Sequence, residues 1–244
     1  MDHRLNFAPD AASPHAWRPL GRVEGLRVRA AGSDAPAEAG TVEAIEGKGF
    51  AGDRHADALS PRQLLVAGTD VYRALGLPLA TLRENLLVDF GTADLASGRL
   101  LRLGEDVVLW LTFQCEPCPR LERHQAGLAK AAHRHRGMLA RVLRGGTVRV
   151  GDPVADMASS MPPMSDDWRA RVAAVLLAVP PDQVISFRQL AHLAGVAPTY
   201  CRAFPRLLAK LPPAVGGRAR SGESATAAGG WSGAALFAVD AAQR

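Results

Sequence analysis

Cys115-Glu116-Pro117-Cys118 places two thiols two residues apart near the middle of the chain. That spacing serves a dithiol redox couple, which normally sits at a helix N-terminus after a strand of an α/β domain. It is also half of a structural zinc site, for which His124, His133 and His135 follow in sequence. Their spacings match no standard zinc pattern, and a second Cys-x-x-Cys is missing. A further chemically suggestive stretch is Gly47-Lys48-Gly49-Phe50-Ala51-Gly52-Asp53-Arg54-His55. Its glycines imply a tight loop with accessible amides, and Lys48, Arg54 and His55 surround it with positive charge fit for a phosphate. From these residues alone, a tight hairpin with a solvated charge cluster is the better reading. Cys201, far from both stretches, reads as a buried helix cysteine.

These residues need elements to position them. From Arg22 to about Asp152 the chain shows short apolar runs separated by Gly and Asp, with candidate strands at residues 23–28, 41–45, 63–66, 85–88, 100–103, 107–113, 140–143 and 148–150. Helical stretches are expected at 69–74 and 125–133. Many short strands with Gly-rich turns predict a mainly β protein built on an irregular barrel with peripheral helices. Residues 1–20 read as a mobile arm, 21–156 as the barrel domain and 157–165, with two adjacent prolines, as a linker. The period then changes to about 3.6. Ser165 or Asp166 can cap a helix that buries Trp168, Val172, Val175, Leu176 and Val179. Ser186 caps a second helix ending at Gly195, and a third runs from about Pro198 to Lys210. Residues 166–213 thus have the layout of a helix-turn-helix. In the tail, 214–244, 19 of 31 residues are Ala, Gly or Ser, so 214–230 is expected to be loosely packed.

The whole chain carries a formal charge of +5. Residues 1–165 hold 20 basic against 19 acidic groups, whereas 166–244 hold 9 against 5, which points to an anionic partner for the C-terminal part. Three cysteines argue against a disulfide framework. With neither a signal-like nor a membrane-spanning apolar run, the reading is a cytoplasmic protein without a membrane partner.

Read in order, Gly52-Asp53-Arg54-His55, Arg62-Gln63, Glu84-Asn85-Leu86, Pro117-Cys118, Gly137-Met138-Leu139-Ala140-Arg141-Val142 and Gly151-Asp152 resemble the MOSC domain, over roughly residues 20–155. The resemblance implies a pyruvate-kinase-insert-like β-barrel whose cleft holds the molybdenum cofactor, a molybdopterin. It implies that Cys118 is the metal ligand and catalytic group, since a soft thiolate suits a thiophilic metal. It further implies that Asp53, Arg54, His55, Arg62, Gln63, Asn85, Arg120 and Arg141 bind the cofactor, the arginines through bidentate contacts to its phosphate and pterin oxygens. Glu84 is expected to hold one of the arginines in place. Pyridoxal phosphate, found on a separate domain in sulfurases, is not expected.

Residues 167–213 resemble the DNA-binding domain of O6-alkylguanine-DNA alkyltransferases and of the alkyltransferase-like proteins, a small winged-helix-like unit. There Arg202 stands where an arginine enters the DNA minor groove. The acceptor Pro-Cys-His-Arg is absent, so the chain is not an alkyltransferase. Together the resemblances imply a molybdopterin-dependent oxidoreductase that removes or transfers oxygen on a small N-oxygenated substrate, with an unidentified electron donor. The alkylguanine-reader-like segment suggests a modified nucleobase as that substrate. Two alternatives stand beside this: a non-enzymatic carrier of the cofactor or its sulfur, and a sensor of alkylated DNA binding weakly through the C-terminal domain.

Overall fold

The computed structural model describes residues 17–33, 35–117, 119–157, 161–222 and 230–238. Its central strand, β8 (Val107–Gln114), is buried along almost its whole length. Val107, Leu109 and Leu111 join the main core, while Val108 and Trp110 pack in a second cluster. Both faces of this strand are covered, so it reads as an apolar run without alternation. β3 (Thr41–Ile45) has one covered face and alternates exposed and buried residues.

The other strands of the main sheet are β1 (Arg18–Val28), β2 (Ala37–Ala39), β5 (Leu64–Gly68), β6 (Leu86–Val88), β7 (Leu100–Leu103), β9 (Met138–Arg144) and β11 (Pro153–Met157). Seven of them close into a barrel in the order β1, β6, β5, β9, β8, β7, β11 and back to β1, with β2 attached outside β1. All neighbours are antiparallel except β5 and β6. β4 (Gly49–Phe50) and β10 (Gly146–Arg149) flank β3 in a smaller sheet. Peripheral helices α1 (Thr69–Leu75), α2 (Pro119–Glu122) and α3 (Leu128–Ala131) cover the outside, Val71, Tyr72, Leu121 and Leu128 sharing one apolar cluster.

The expected arm is corrected at its end. Residues 18–20 begin β1 and pair with β11, Arg18 donating to buried Asp156 at 3.0 Å; residues 1–16 lie outside the described residues. β11 escapes a propensity reading because it opens on proline and carries a charged residue, yet Pro153 stands at a strand start and Asp156 is neutralised by Arg18 and Arg99. The expected linker also behaves differently. Met161 is buried against Leu100, Val108, Trp110 and Leu143, and the Met164 amide donates to Ser97 Oγ at 2.7 Å. Flexible methionines fill gaps on the barrel wall there.

After this stretch come α4 (Trp168–Ala178), β12 (Ile185–Ser186) and α5 (Phe187–Leu193). α4 is capped by Asp167, one residue beyond the expected cap, and buries Val172, Val175 and Leu176. Ser186 caps α5 as its position predicts. Gly195 has φ +62°, and a Cβ there would lie 2.8 Å from the rings of Phe113 and Pro61. A glycine is needed both for the left-handed turn and for the close approach of the helices to the barrel. The expected third helix is a 3-10 helix, Pro198–Ala203, running into α6 (Phe204–Leu208).

The expectation of a loose tail from residue 214 is corrected for its first part. α7 (Pro213–Gly216) and β13 (Ala219–Arg220) are regular, and β13 pairs in parallel with β12. Arg218 explains the order: its Nη1 donates to the Val179 carbonyl at 2.7 Å, binding the end of α4. Residues 223–229 fall outside the described residues. Beyond them the 3-10 helix Ala234–Phe237 returns to the barrel, where Phe237 meets Trp110 edge-on. Among the described residues no helix is long and apolar enough to cross a membrane.

Candidate functional site

Loops joined to β1, β5, β6, β8 and β9 enclose a cavity of about 430 Å³. Arg29, Arg54, Arg62, Arg83, Arg120 and Arg136 line it with His55, and among the described residues neither Asp nor Glu lines it. Leu65, Leu139 and Cys115 form its apolar floor, and Ala197 from the helical part closes one side. Such a concentration of guanidiniums in one concavity builds a positive potential suited to a multiply charged anion.

Behind the arginines stands one buried carboxylate. Asp53 Oδ2 accepts from the Arg29 amide at 2.9 Å and from Asn85 Nδ2 at 2.7 Å. Oδ1 accepts from the His55 amide at 2.8 Å and lies 3.0 Å from His55 Nδ1. Burial by itself would raise the Asp53 pKa, but these hydrogen bonds outweigh it and hold the group down to about 2. Arg29 is buried, and desolvation lowers its pKa against the pull of Asp53. Its Nη1 donates to the carbonyl of Arg83 at 3.0 Å, and Arg83 adopts a left-handed φ of 63°. The Nε atoms of Arg29 and Arg136 are buried without a hydrogen-bond partner. Buried donors in that state mark a place where a ligand or water is expected.

The residues expected to bind the cofactor therefore divide. Arg54, His55, Arg62, Asn85 and Arg120 line the cavity. Asp53 lies behind it and orients Arg29, His55 and Asn85. Both amide hydrogens of Asn85 are used, on Asp53 and on the Arg27 carbonyl, so it acts on the cavity mainly by bracing it.

Gln63 and Arg141 are corrections. Gln63 is fully buried, donates to the carbonyls of Gly47 and Asp57 at 2.6 and 2.9 Å, and accepts from the Val142 amide. Arg141 is buried with Nη1 on the Ser60 carbonyl at 2.5 Å and Nη2 on that of Ala58 at 3.0 Å, its guanidinium 3.9 Å from the Phe237 ring centroid. Desolvation lowers its pKa to about 10, offset in part by Asp57. The reason is directional. Met138, Ala140 and Val142 point into the barrel core, so Arg141 points out, toward the loop rather than the cavity. The glycine-rich loop is corrected too. The amides of Gly47, Lys48, Ala51, Asp53 and Arg54 all donate to backbone carbonyls, and the loop is a braced hairpin rather than an amide cradle. Lys48 is exposed and does not line the cavity.

Cys118 lies outside the described residues. Its neighbours Pro117 and Pro119 line an adjoining groove of about 740 Å³, which shares His55, Arg62, Arg136 and Ala197 with the cavity. Cys115 is buried on the cavity floor with Arg62 Nη2 3.9 Å from its Sγ. Among the described residues no group of three or more His, Cys, Asp or Glu is placed to hold a metal ion, and His133 and His135 are exposed. Glu84 bonds Arg27 and the Tyr72 hydroxyl in the interior, and not one of the arginines expected around the cofactor. Arg202 is exposed on the 3-10 helix with Nε on the Thr199 carbonyl at 3.1 Å.

Sequence reasoning missed Arg29, Arg83, Arg136 and Glu116. A common signal existed, an arginine or its neighbour bordering a strand end, but only the fold shows that these borders converge.

A barrel of seven antiparallel and parallel strands with an arginine-lined cavity and a helical C-terminal unit defines the class of the molecule. Within it, residues 56–155 match the family model described as the MOSC domain. Among solved structures it is similar to YuaD from Bacillus subtilis, with 19% identity, a TM-score of 0.50, and coverage of 59% of this chain and 100% of that one. A structure described only as a hypothetical protein has 22% identity and a TM-score of 0.50, covering 81% of this chain and 93% of its own. YiiM from Geobacillus stearothermophilus has 14% identity and a TM-score of 0.44, covering 79% and 99%. The likeness to the first two is one of fold alone. No curated protein matches the sequence.

Proposed function

We propose that this protein is a molybdenum-cofactor-binding oxidoreductase that removes or transfers an oxygen atom on a small N-oxygenated substrate. The observation that carries the reading is the cavity lined by six arginines and, among the described residues, no carboxylate, with the buried Nε atoms of Arg29 and Arg136 lacking hydrogen-bond partners. Its donor set fits the phosphate and pterin oxygens of a molybdopterin, because guanidiniums match phosphate geometry with paired N–H groups. Arg54 and Arg120, at the exposed rim, reach an entering phosphate; Arg29 and Arg136, deeper, hold it where water is scarce. Cys118, the residue the MOSC pattern designates, supplies the thiolate ligand. Bound there, the cofactor supplies two-electron chemistry, while this chain supplies charge, orientation and exclusion of water. A small substrate enters by the adjoining groove, and reducing equivalents come from a separate donor.

The test is metal analysis and pterin fluorescence on protein made in a cofactor-producing host. Cys118→Ser is expected to lose molybdenum while keeping its circular dichroism, because an alcohol is a poor ligand for a thiophilic metal. Cys115→Ser is expected to retain it. Equal loss in both variants points to a paired dithiol, and full retention in Cys118→Ser contradicts the ligand assignment. Cofactor retained by the wild type without turnover of a reduced dye and substrate identifies a carrier instead.

A further inference from the structure

Arg171 on α4 is charged, yet it is 2% exposed and among the most completely buried side chains. Its guanidinium joins three parts of the molecule. Nε donates to the Ala194 carbonyl at the end of α5 (2.9 Å), and Nη1 donates to those of Ser165 and Asp166 (2.8 and 2.9 Å). Nη2 reaches Glu116 Oε1 on the cysteine-bearing loop at 2.5 Å, and the group lies 3.7 Å from the Phe113 ring centroid. The second oxygen of Glu116 accepts from Arg62 Nη1 at 2.8 Å. The same Nη1 donates to the Gly195 carbonyl at 2.9 Å, and Arg62 lines the cavity.

We propose that Arg171 is a positioning residue for the arginine-lined cavity, acting through Glu116 to fix Arg62 and the Cys115-Glu116-Pro117 loop, so that the helical C-terminal unit is a working part of the site. The inference rests on the reading of that cavity as an anion site. A carboxylate shared between two guanidiniums is held in one orientation, and each guanidinium is then held by it. The close approach at Gly195 locks the same joint from the other side. The C-terminal unit is on this account an integral wall, and Arg171 shapes a cavity it does not line.

Titration of full-length, metal-free protein with inorganic pyrophosphate tests this. Arg171→Met is expected to weaken binding about tenfold, as is Arg62→Ala. The double variant is expected to bind no more weakly than Arg62→Ala alone, because Arg171 acts through Arg62. A general loosening of the fold would instead add a further loss in the double variant. Additive losses, or wild-type affinity in folded Arg171→Met, overturn the proposal. If Arg171→Met does not fold, Glu116→Gln decides: it keeps the shape of the bridge without its charge, and unchanged affinity there overturns the relay. A wild-type protein that does not bind pyrophosphate overturns the anion-site reading itself, an outcome distinct from the relay's failure.

Discussion

Arg54 and Arg141 both stand in motifs that invite the same reading, but they belong to two differently built regions. Around residues 47–60 the loop carbonyls converge on buried side chains, with Arg141 and Gln63 spending their donors on Gly47, Asp57, Ala58 and Ser60. Around the cavity six arginines face one concavity, Arg62 held by Glu116 and Arg29 set beside Asp53. A guanidinium whose hydrogens all go to backbone carbonyls is a brace. Guanidiniums that line one concavity give it a positive potential. Arginine in a motif is therefore not yet a ligand-binding residue; the direction of its strand decides.

That contrast breaks first at Arg141. Arg141→Ala removes a buried guanidinium and leaves loop carbonyls unpaired, so it is expected to cost about 3 kcal/mol or more in denaturant unfolding. A loss under about 0.5 kcal/mol would place Arg141 outside the bracing role. A smaller effect is expected at the joint between barrel and helices. Gly195→Ala forces a left-handed alanine and a contact at 2.8 Å with two rings, and should cost about 2 kcal/mol. Wild-type stability there would mean that the helical unit packs less closely than described.

The smallest effect comes from Asp53. Its folded pKa of about 2 lies below the ordinary 3.8, so its contribution is fully present above pH 4 and is lost as pH falls through the folded value. Unfolding followed from pH 5 to pH 2 should show a loss of roughly 1–2 kcal/mol that Asp53→Asn lacks. An identical acid profile in the two proteins would remove Asp53 from its role behind the arginines.

Much of the barrel was legible in sequence because its strands are bounded by Gly and Asp and carry apolar runs. The expected strands at 41–45 and 100–103 coincide with β3 and β7, and Ser186 and Gly195 cap and end α5 where their types predict. β11 was hidden by Pro153 and Asp156, which strands disfavour unless position and partners compensate. Residues 214–222 were hidden for a similar reason: their order comes from Arg218 reaching the end of α4, a tertiary contact that small-residue composition does not reveal. At the site, the positive character was legible and its architecture was not. Arg29, Arg83 and Arg136 are far apart in sequence and meet only because β1, β6 and β9 end near one another. Arg141 was misassigned because motif order does not state which way a side chain leaves its strand.

The central claim, that the cavity receives an anion while the neighbouring loop is only braced, is tested most directly by calorimetric titration of pyrophosphate into metal-free wild-type protein, Arg54→Ala and folded Arg141→Ala. The account predicts that Arg54→Ala binds about 1.5–3 kcal/mol more weakly with unchanged stability, whereas Arg141→Ala binds like the wild type despite its lower stability. Unchanged affinity in Arg54→Ala together with lost affinity in Arg141→Ala would place the anion in the glycine-rich loop and contradict it.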